Sequence, residues 1–232
     1  MKPLFQIRSE SFSFYKATEE IKILHLSDIH IWFSSKILNQ IKAKILSIKP
    51  KLVLMTGDFF DFPYGAKLFK IFMKEIAQIQ PVIFIRGNHE FFYGKNIANS
   101  LIGIPNCFCV ENEVYTLNLK NGYSINVASL KIINRISRLP NQLNIGLLHN
   151  PETLGCNDTK NVDLILAGHL HGGQFILCQT KDGNHFPASL FYKNCFDRKS
   201  ILNTTVLVSK GLGDTLPFRF NCPKEIIELT IR

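Results

Sequence analysis

The stretch IKILHLSDIH (residues 21–30) reads as a buried strand over 21–27 that runs into a polar end at Asp28 and His30. The chain then repeats that pattern. Residues 35–48 set Ile37, Leu38, Ile41, Ile45 and Ile48 at the spacing of a helix with one buried stripe, and Pro50 stops it. KLVLMT (51–56) is a second strand, ending at Gly57-Asp58. A second helical pattern over about 66–79 leads through Pro81 to the strand VIFIRG (82–87), which ends at Asn88-His89. This is a β-α-β-α-β run with polar residues just past the carboxyl end of each strand, where open α/β sheets place their ligands.

Past residue 112 the texture changes. EVYTLNL (113–119), YSINVASL (123–130), LNIGLLH (143–149), DLILAGH (163–169), QFILCQ (174–179), NTTVLVSKG (203–211) and EIIELTIR (225–232) read as further strands. One short helix is expected near 151–156. A parallel-rich half followed by a strand-rich half predicts two packed sheets with helices outside.

Composition narrows the class. The 232 residues are expected to form one domain spanning 1–232, with the 46% hydrophobic and 19% charged content of a globular protein. No apolar run reaches the ~18 residues needed to cross a bilayer. The opening MKPLFQIRSE lacks the apolar segment of a secretory signal, so a soluble cytoplasmic protein is expected. The six cysteines are scattered without a C-x-x-C pair, which predicts free thiols and argues against a thiolate zinc site. A net charge of +9, from 27 Lys and Arg against 18 Asp and Glu, favours anionic partners: phosphate-bearing substrates, nucleic acid or an anionic membrane surface. The lysines are spread along the chain, which fits plain solubility equally well.

The polar groups at the strand ends are SDIH (Asp28, His30), GDFFD (Asp58), GNHE (Asn88, His89), LLHN (His149) and GHLHGG (His169, His171). Five of the seven histidines lie in these groups. Each motif alone is weak; together they describe a chemistry. Hydrolysis of a phosphate ester at neutral pH needs an activated nucleophile and neutralised phosphoryl charge, and two divalent ions roughly 4 Å apart supply both. Asp, His and Asn donors suit Mn²⁺, Fe or Zn²⁺. Neighbouring glycines let the backbone turn tightly against the ions.

The order D-x-H, G-D-x-x-D, G-N-H-E, H, G-H-x-H resembles the calcineurin-like metallophosphoesterase superfamily over residues 23 to about 176. The resemblance implies an α/β fold, a four-layer αββα sandwich with two mixed β-sheets and metals at the sheet edges. It implies Asp28, His30 and His171 on a first metal, Asn88, His149 and His169 on a second, and Asp58 bridging them. His89 would not bind metal; it would contact the phosphate and act as general acid or transition-state stabiliser toward the leaving oxygen. GHLHGGQF and the tail VLVSKGLGDTLPFRFNCPKEIIELTI (206–231) resemble a bacterial subgroup with a GH-x-HGGQ motif. Relatives of that subgroup cleave the pyrophosphate of UDP-2,3-diacylglucosamine in lipid A synthesis. Many members begin with a membrane-spanning segment, which this sequence does not show, and Leu170 stands where a small polar residue is common.

The resulting expectation is a dinuclear hydrolase that uses a metal-bridging hydroxide on a phosphodiester or pyrophosphate, with a lipid-linked substrate met at the inner membrane surface. No obligate protein partner is implied. One rival is a nuclease or nucleotide phosphodiesterase, against which stands the lack of aromatic–basic interleaving. The other is a non-catalytic scaffold, against which stands the full set of seven ligand positions.

Other residues carry smaller expectations. Asp61 reads as a supporting or turn residue, the alternative being a metal ligand, His25 as a core histidine and His185 as a loop residue. Arg86 reads equally as a phosphate donor or a solvent-facing arginine. Phe91, Phe92 and Tyr93 are expected to pack, the alternative being an apolar lip, and Lys131, Arg135 and Arg138 to form a solvated basic turn, the alternative being a head-group loop.

Overall fold

The computed structural model describes residues 3–14, 20–155 and 157–232. Its first half contains β1 (Gln6–Phe12), β2 (Ile21–Leu26), α1 (Lys36–Ile48), β3 (Leu52–Thr56), α2 (Pro63–Ala77), β4 (Val82–Ile85), α3 (Lys95–Ala98) and β5 (Cys107–Cys109). Then come β6 (Tyr115–Asn118), β7 (Ser124–Ser129), α4 (Leu130–Ile133), β8 (Gln142–Leu148) and β9 (Leu164–Ala167). The last are β10 (Ile176–Gln179), β11 (His185–Pro187), β12 (Arg198–Ile201), β13 (Thr204–Val208) and β14 (Glu225–Ile231).

The strands form two six-stranded mixed sheets, ordered β1-β14-β2-β3-β4-β5 and β12-β13-β9-β8-β7-β6. In the first, β2, β3, β4 and β5 run parallel, as the repeated β-α units require, and β14 inserts antiparallel to β2. In the second, β7, β8, β9 and β13 are parallel with antiparallel edges.

Alternation within each strand builds the layers. Ile21, Ile23, Leu52 and Leu54 point toward the second sheet and meet Ile145, Leu147, Leu164 and Leu166 there. Their neighbours Leu24, Leu26, Val53 and Met55 face the other way, onto Leu38, Ile41 and Ile45 of α1 and Phe69, Phe72 and Met73 of α2. All these strand residues are buried, so both faces of the strands must be apolar, which is why they read as continuous hydrophobic runs.

Several expectations need correction. The second helix begins at Pro63, where a missing N–H costs nothing, and ends at Ala77. The helix expected near 151–156 is a single turn at Pro151–Thr153. QFILCQ belongs to neither sheet; β10 pairs only with β11 in a separate hairpin. β1 was not foreseen, because an edge strand carrying Gln6, Arg8, Ser9, Glu10 and Ser11 has no apolar run to reveal it. Cys107, Cys109, Cys178, Cys195 and Cys222 are free, and Cys156 lies outside the described residues. Among the described residues no helix is long and apolar enough to cross a membrane.

Candidate metal centre

The loops that leave β2, β3 and β4 sit at the carboxyl edge of the first sheet, and those leaving β8 and β9 sit at the same edge of the second. Backbone bonds tie the loops together: Asp28 N–H donates to Gly57 O at 3.0 Å, His30 N–H to Asp58 O at 3.1 Å and Gly168 N–H to His149 O at 3.0 Å. Asp28, His30, Asp58, His169 and His171 all adopt left-handed backbone, with φ between 50° and 70°. That region costs an ordinary residue roughly 1–2 kcal/mol, so five such residues in one place mark strain stored at a site. Two glycines permit the close approach. A Cβ on Gly168 would fall 2.3 Å from Asp28 Oδ2, and one on Gly87 would fall 2.2 Å from Asp58 Oδ1.

Two donor clusters result: Asp28, His30 and His171 present ligand atoms within 4.8 Å of one another, as do Asp58, His149 and His169; a third such group, His30, Asp61 and His89, shares His30 with the first. His30 Nε2 lies 3.1 Å from His171 Nε2. Around His149 Nε2 stand Asp58 Oδ2 at 3.2 Å, His169 Nδ1 at 3.1 Å and Asn88 Oδ1 at 2.9 Å. Asp58 Oδ2 is also 4.0 Å from His30 Nε2, so its carboxylate faces both groups. His89 lies beside them, its Nε2 3.8 Å from Asp58 Oδ2.

Partners behind the imidazoles fix which nitrogen faces inward. His149 Nδ1 donates to Thr56 O at 2.7 Å, and His30 Nδ1 donates to Asp61 Oδ1 at 2.7 Å. In the neutral rings this leaves each Nε2 with a lone pair directed at other acceptors. A cation among them answers every one of these acceptors at once, so the residues present fit a divalent metal.

The electrostatics agree. Burial opposes charge on His149, yet its bond to Asp58 and the charge of Asp28 push it up to about 9. Burial likewise opposes charge on His30, and Asp61 and Asp28 overcome it. Asp58 is held below the usual carboxylate range because His149 and His89 outweigh its burial. Burial, with His30 and Arg219 adding, pushes His171 down to about 4, and burial beside His149 lowers His169.

Asp61 is a shared acceptor. Its Oδ1 receives His30 Nδ1 and, at 2.5 Å, His89 Nδ1, while Oδ2 receives the Trp32 indole N–H. The sequence reading left Glu90 without a role, though it stands in GNHE. It is fully buried and accepts from the N–H groups of Asp58, Phe59 and Gly87 at 2.9, 2.6 and 2.7 Å, locking the β3 and β4 loops together. Gln174 was missed as well. Its Oε1 accepts from Thr215 and Leu216, and its Nε2 donates to the carbonyls of Leu216 and Phe218. Arg219, in the same loop, places Nη2 3.3 Å from His171 Nδ1. A motif with a glutamine after two glycines was the available signal for Gln174, and the PFRF of the tail (217–220) was the one for Arg219.

Three smaller readings change. Arg86 is half-buried, and Glu111 holds its guanidinium at 2.7 and 2.5 Å. Phe91, Phe92 and Tyr93 are exposed rather than packed, Phe92 by 62%; Phe92 and Tyr93 join Trp32, Phe33 and Phe62 in an aromatic rim, while Phe91 lies against the Arg86 guanidinium. His185 is buried in β11 with Nδ1 3.1 Å from Gly172 O. Lys131, Arg135 and Arg138 are exposed, as a solvated basic turn requires, and Arg138 pairs with Asp163, just before β9 and so at the opposite edge from the site. His25 is a core histidine: burial pushes it down to about 3, with Arg8 adding, and its Nε2 meets Thr56 Oγ1 at 2.8 Å.

Two stacked mixed sheets with Asp–His clusters at their carboxyl edges define a metallophosphoesterase. The chain belongs to the calcineurin-like phosphoesterase family, whose signature matches residues 21–173. It is 29% identical to the uncharacterized metallophosphoesterase YkuE of Bacillus subtilis, over 91% of this chain and 79% of that protein. It is 26% identical to the uncharacterized metallophosphoesterase Cj0846 of Campylobacter jejuni, over 98% of this chain and 63% of that protein. It is 24% identical to the phosphodiesterase YaeI of Escherichia coli, over 98% of this chain and 88% of that protein. The fold is shared with NAD nucleotidase of Haemophilus influenzae, at a TM-score of 0.52 and 15% identity, covering 84% of this chain and 51% of that one. It is shared also with TT1561 of Thermus thermophilus, at a TM-score of 0.50 and 12% identity, covering 84% and 91%.

Proposed function

We propose that the chain, acting as the single domain 1–232, hydrolyses a phosphodiester or pyrophosphate bond with two divalent cations. Asp28, His30 and His171 would hold one, Asn88, His149 and His169 the other, and Asp58 both. When bound, Mn²⁺, Fe or Zn²⁺ would supply a nucleophile at neutral pH and neutralise phosphoryl charge. The observation that carries this reading is Asp58, whose one oxygen lies 3.2 Å from His149 Nε2 and 4.0 Å from His30 Nε2.

The chain's own part in the proton transfer falls to His89. Asp61 accepts its Nδ1–H, which keeps Nε2 turned toward the cleft, where a protonated ring can donate to the leaving oxygen. The side chain is 24% exposed, enough to meet a substrate.

For the substrate we favour a lipid-linked diester or pyrophosphate such as UDP-2,3-diacylglucosamine, handled by a cytoplasmic protein at a membrane surface. Supporting this are the exposed aromatic rim beside His89 and the net charge of +9. A nuclease is less favoured, because Arg86 near the cleft is engaged by Glu111. The test strips the protein of metal, reloads it with Mn²⁺, Fe²⁺ or Zn²⁺, and assays a monoester, a diester, a nucleotide pyrophosphate and a lipid-linked pyrophosphate. Restored hydrolysis, highest on the lipid-linked compound, is expected. Full activity after complete metal removal would contradict the mechanism.

A further inference from the structure

The cleft continues past His30 into a second space. Between the start of α1, the Ile31–Phe33 turn and the loop 212–217 lies a cavity of about 670 Å³. His30 lines both this cavity and the smaller space that contains Asp61 and His89. A molecule whose phosphate reaches His89 can therefore carry a substituent into the cavity.

The lining decides what that substituent is. Ile29, Ile31, Ile37, Leu212 and Leu216 supply apolar wall. The polar side chains there are already engaged within the protein. Asp214 accepts from Arg219 Nε at 2.7 Å and from Lys224 Nζ at 2.5 Å. Thr215 Oγ1 donates to Gln174 Oε1, and Ser34 Oγ accepts the Lys36 N–H. Gln174, itself buried, holds the loop in place through bonds to both Thr215 and Leu216. Lys36 remains, exposed at the start of α1 and without an ion pair among the described residues. A nucleobase or sugar in this space would find its donors and acceptors unanswered, whereas hydrocarbon needs none. Burial of each methylene favours binding by about fourfold at most.

We propose that this cavity is a subsite for an alkyl or acyl chain of the substrate. The proposal rests on the phosphoesterase reading above, and its test separates the two. Metal-loaded protein is assayed on bis(p-nitrophenyl) phosphate, which has no tail, and on p-nitrophenyl alkyl phosphodiesters with tails of two to eight carbons. The readout is the ratio of kcat/KM for the eight-carbon to the two-carbon diester, taken within each protein. The wild-type ratio should exceed tenfold. It should collapse toward one in Ile37→Trp, which fills the cavity, and fall in Leu216→Asp, a half-exposed rim substitution that leaves the core untouched. A flat series in wild type, or a steep one unaffected by both substitutions, overturns the subsite while hydrolysis of the tailless diester keeps the phosphoesterase reading. No hydrolysis of any compound overturns that reading and the subsite with it.

Discussion

Asp58 Oδ2 and His149 Nε2 meet at 3.2 Å although one follows a strand of the first sheet and the other a strand of the second. The contact spans the junction where the two sheets present their carboxyl edges. It exists because Leu52 and Leu54 on β3 and Ile145 and Leu147 on β8 pack together in the layer beneath, fixing the strand ends side by side. Core packing thus sets the spacing of the donor atoms.

His89 carries the clearest catalytic prediction. His89→Asn should lower kcat by about 10²–10⁴-fold, the range for loss of a general acid. Its metal content, measured by elemental analysis, should match wild type. Lost metal in this variant would instead make His89 a ligand.

Asp61 should act on both imidazoles that it orients. Asp61→Asn removes the charged acceptor shared by His30 and His89. Metal affinity or activity should fall about 10- to 100-fold, measurable by competition with a chromophoric chelator alongside turnover. Unchanged affinity and rate would reduce Asp61 to a turn residue.

Glu90 is a purely structural prediction. Its carboxylate accepts three backbone N–H groups in a fully buried position. Glu90→Gln leaves part of that set unanswered and should cost about 1–3 kcal/mol, seen as a lower urea midpoint. Wild-type stability in this variant would contradict the locking role.

The pH dependence of metal-free stability follows from three histidines. In the folded state His25 is pushed down to about 3 and His171 to about 4, so below 6.5 the unfolded chain binds more protons and stability falls as pH drops. His149 is pushed up to about 9, so from 6.5 to about 9 the folded state binds more protons and stability falls as pH rises. The thermal midpoint should therefore peak near pH 6.5, and His149→Asn should flatten the alkaline side. A midpoint rising steadily to pH 9 in metal-free protein would refute the assignment.

Much of this was legible beforehand, for identifiable reasons. β2, β3 and β4 are apolar on both faces and end in Asp28, Asp58 and Asn88, so pattern alone located the strands and the polar groups after them. β1 was hidden because its half-exposed polar side chains carry no periodic signal. Phe91, Phe92 and Tyr93 misled because hydrophobicity predicts burial unless something else builds an open rim beside them. The left-handed backbone at His30 and His169 was unreadable: it is imposed by loops crossing between strands that are distant in sequence. Gln174 stood in the GHLHGGQF motif, but what it and Arg219 do depends on the 212–220 loop folding back over His171, a long-range event that the motif alone does not describe.

The central claim is that Asp58 stands between two cations, and anomalous scattering from crystals grown with Mn²⁺ tests it most directly. Two peaks are predicted, one against Asp28, His30 and His171, the other against Asn88, His149 and His169, with Asp58 touching both. A single peak, or two peaks that Asp58 does not join, would contradict the account.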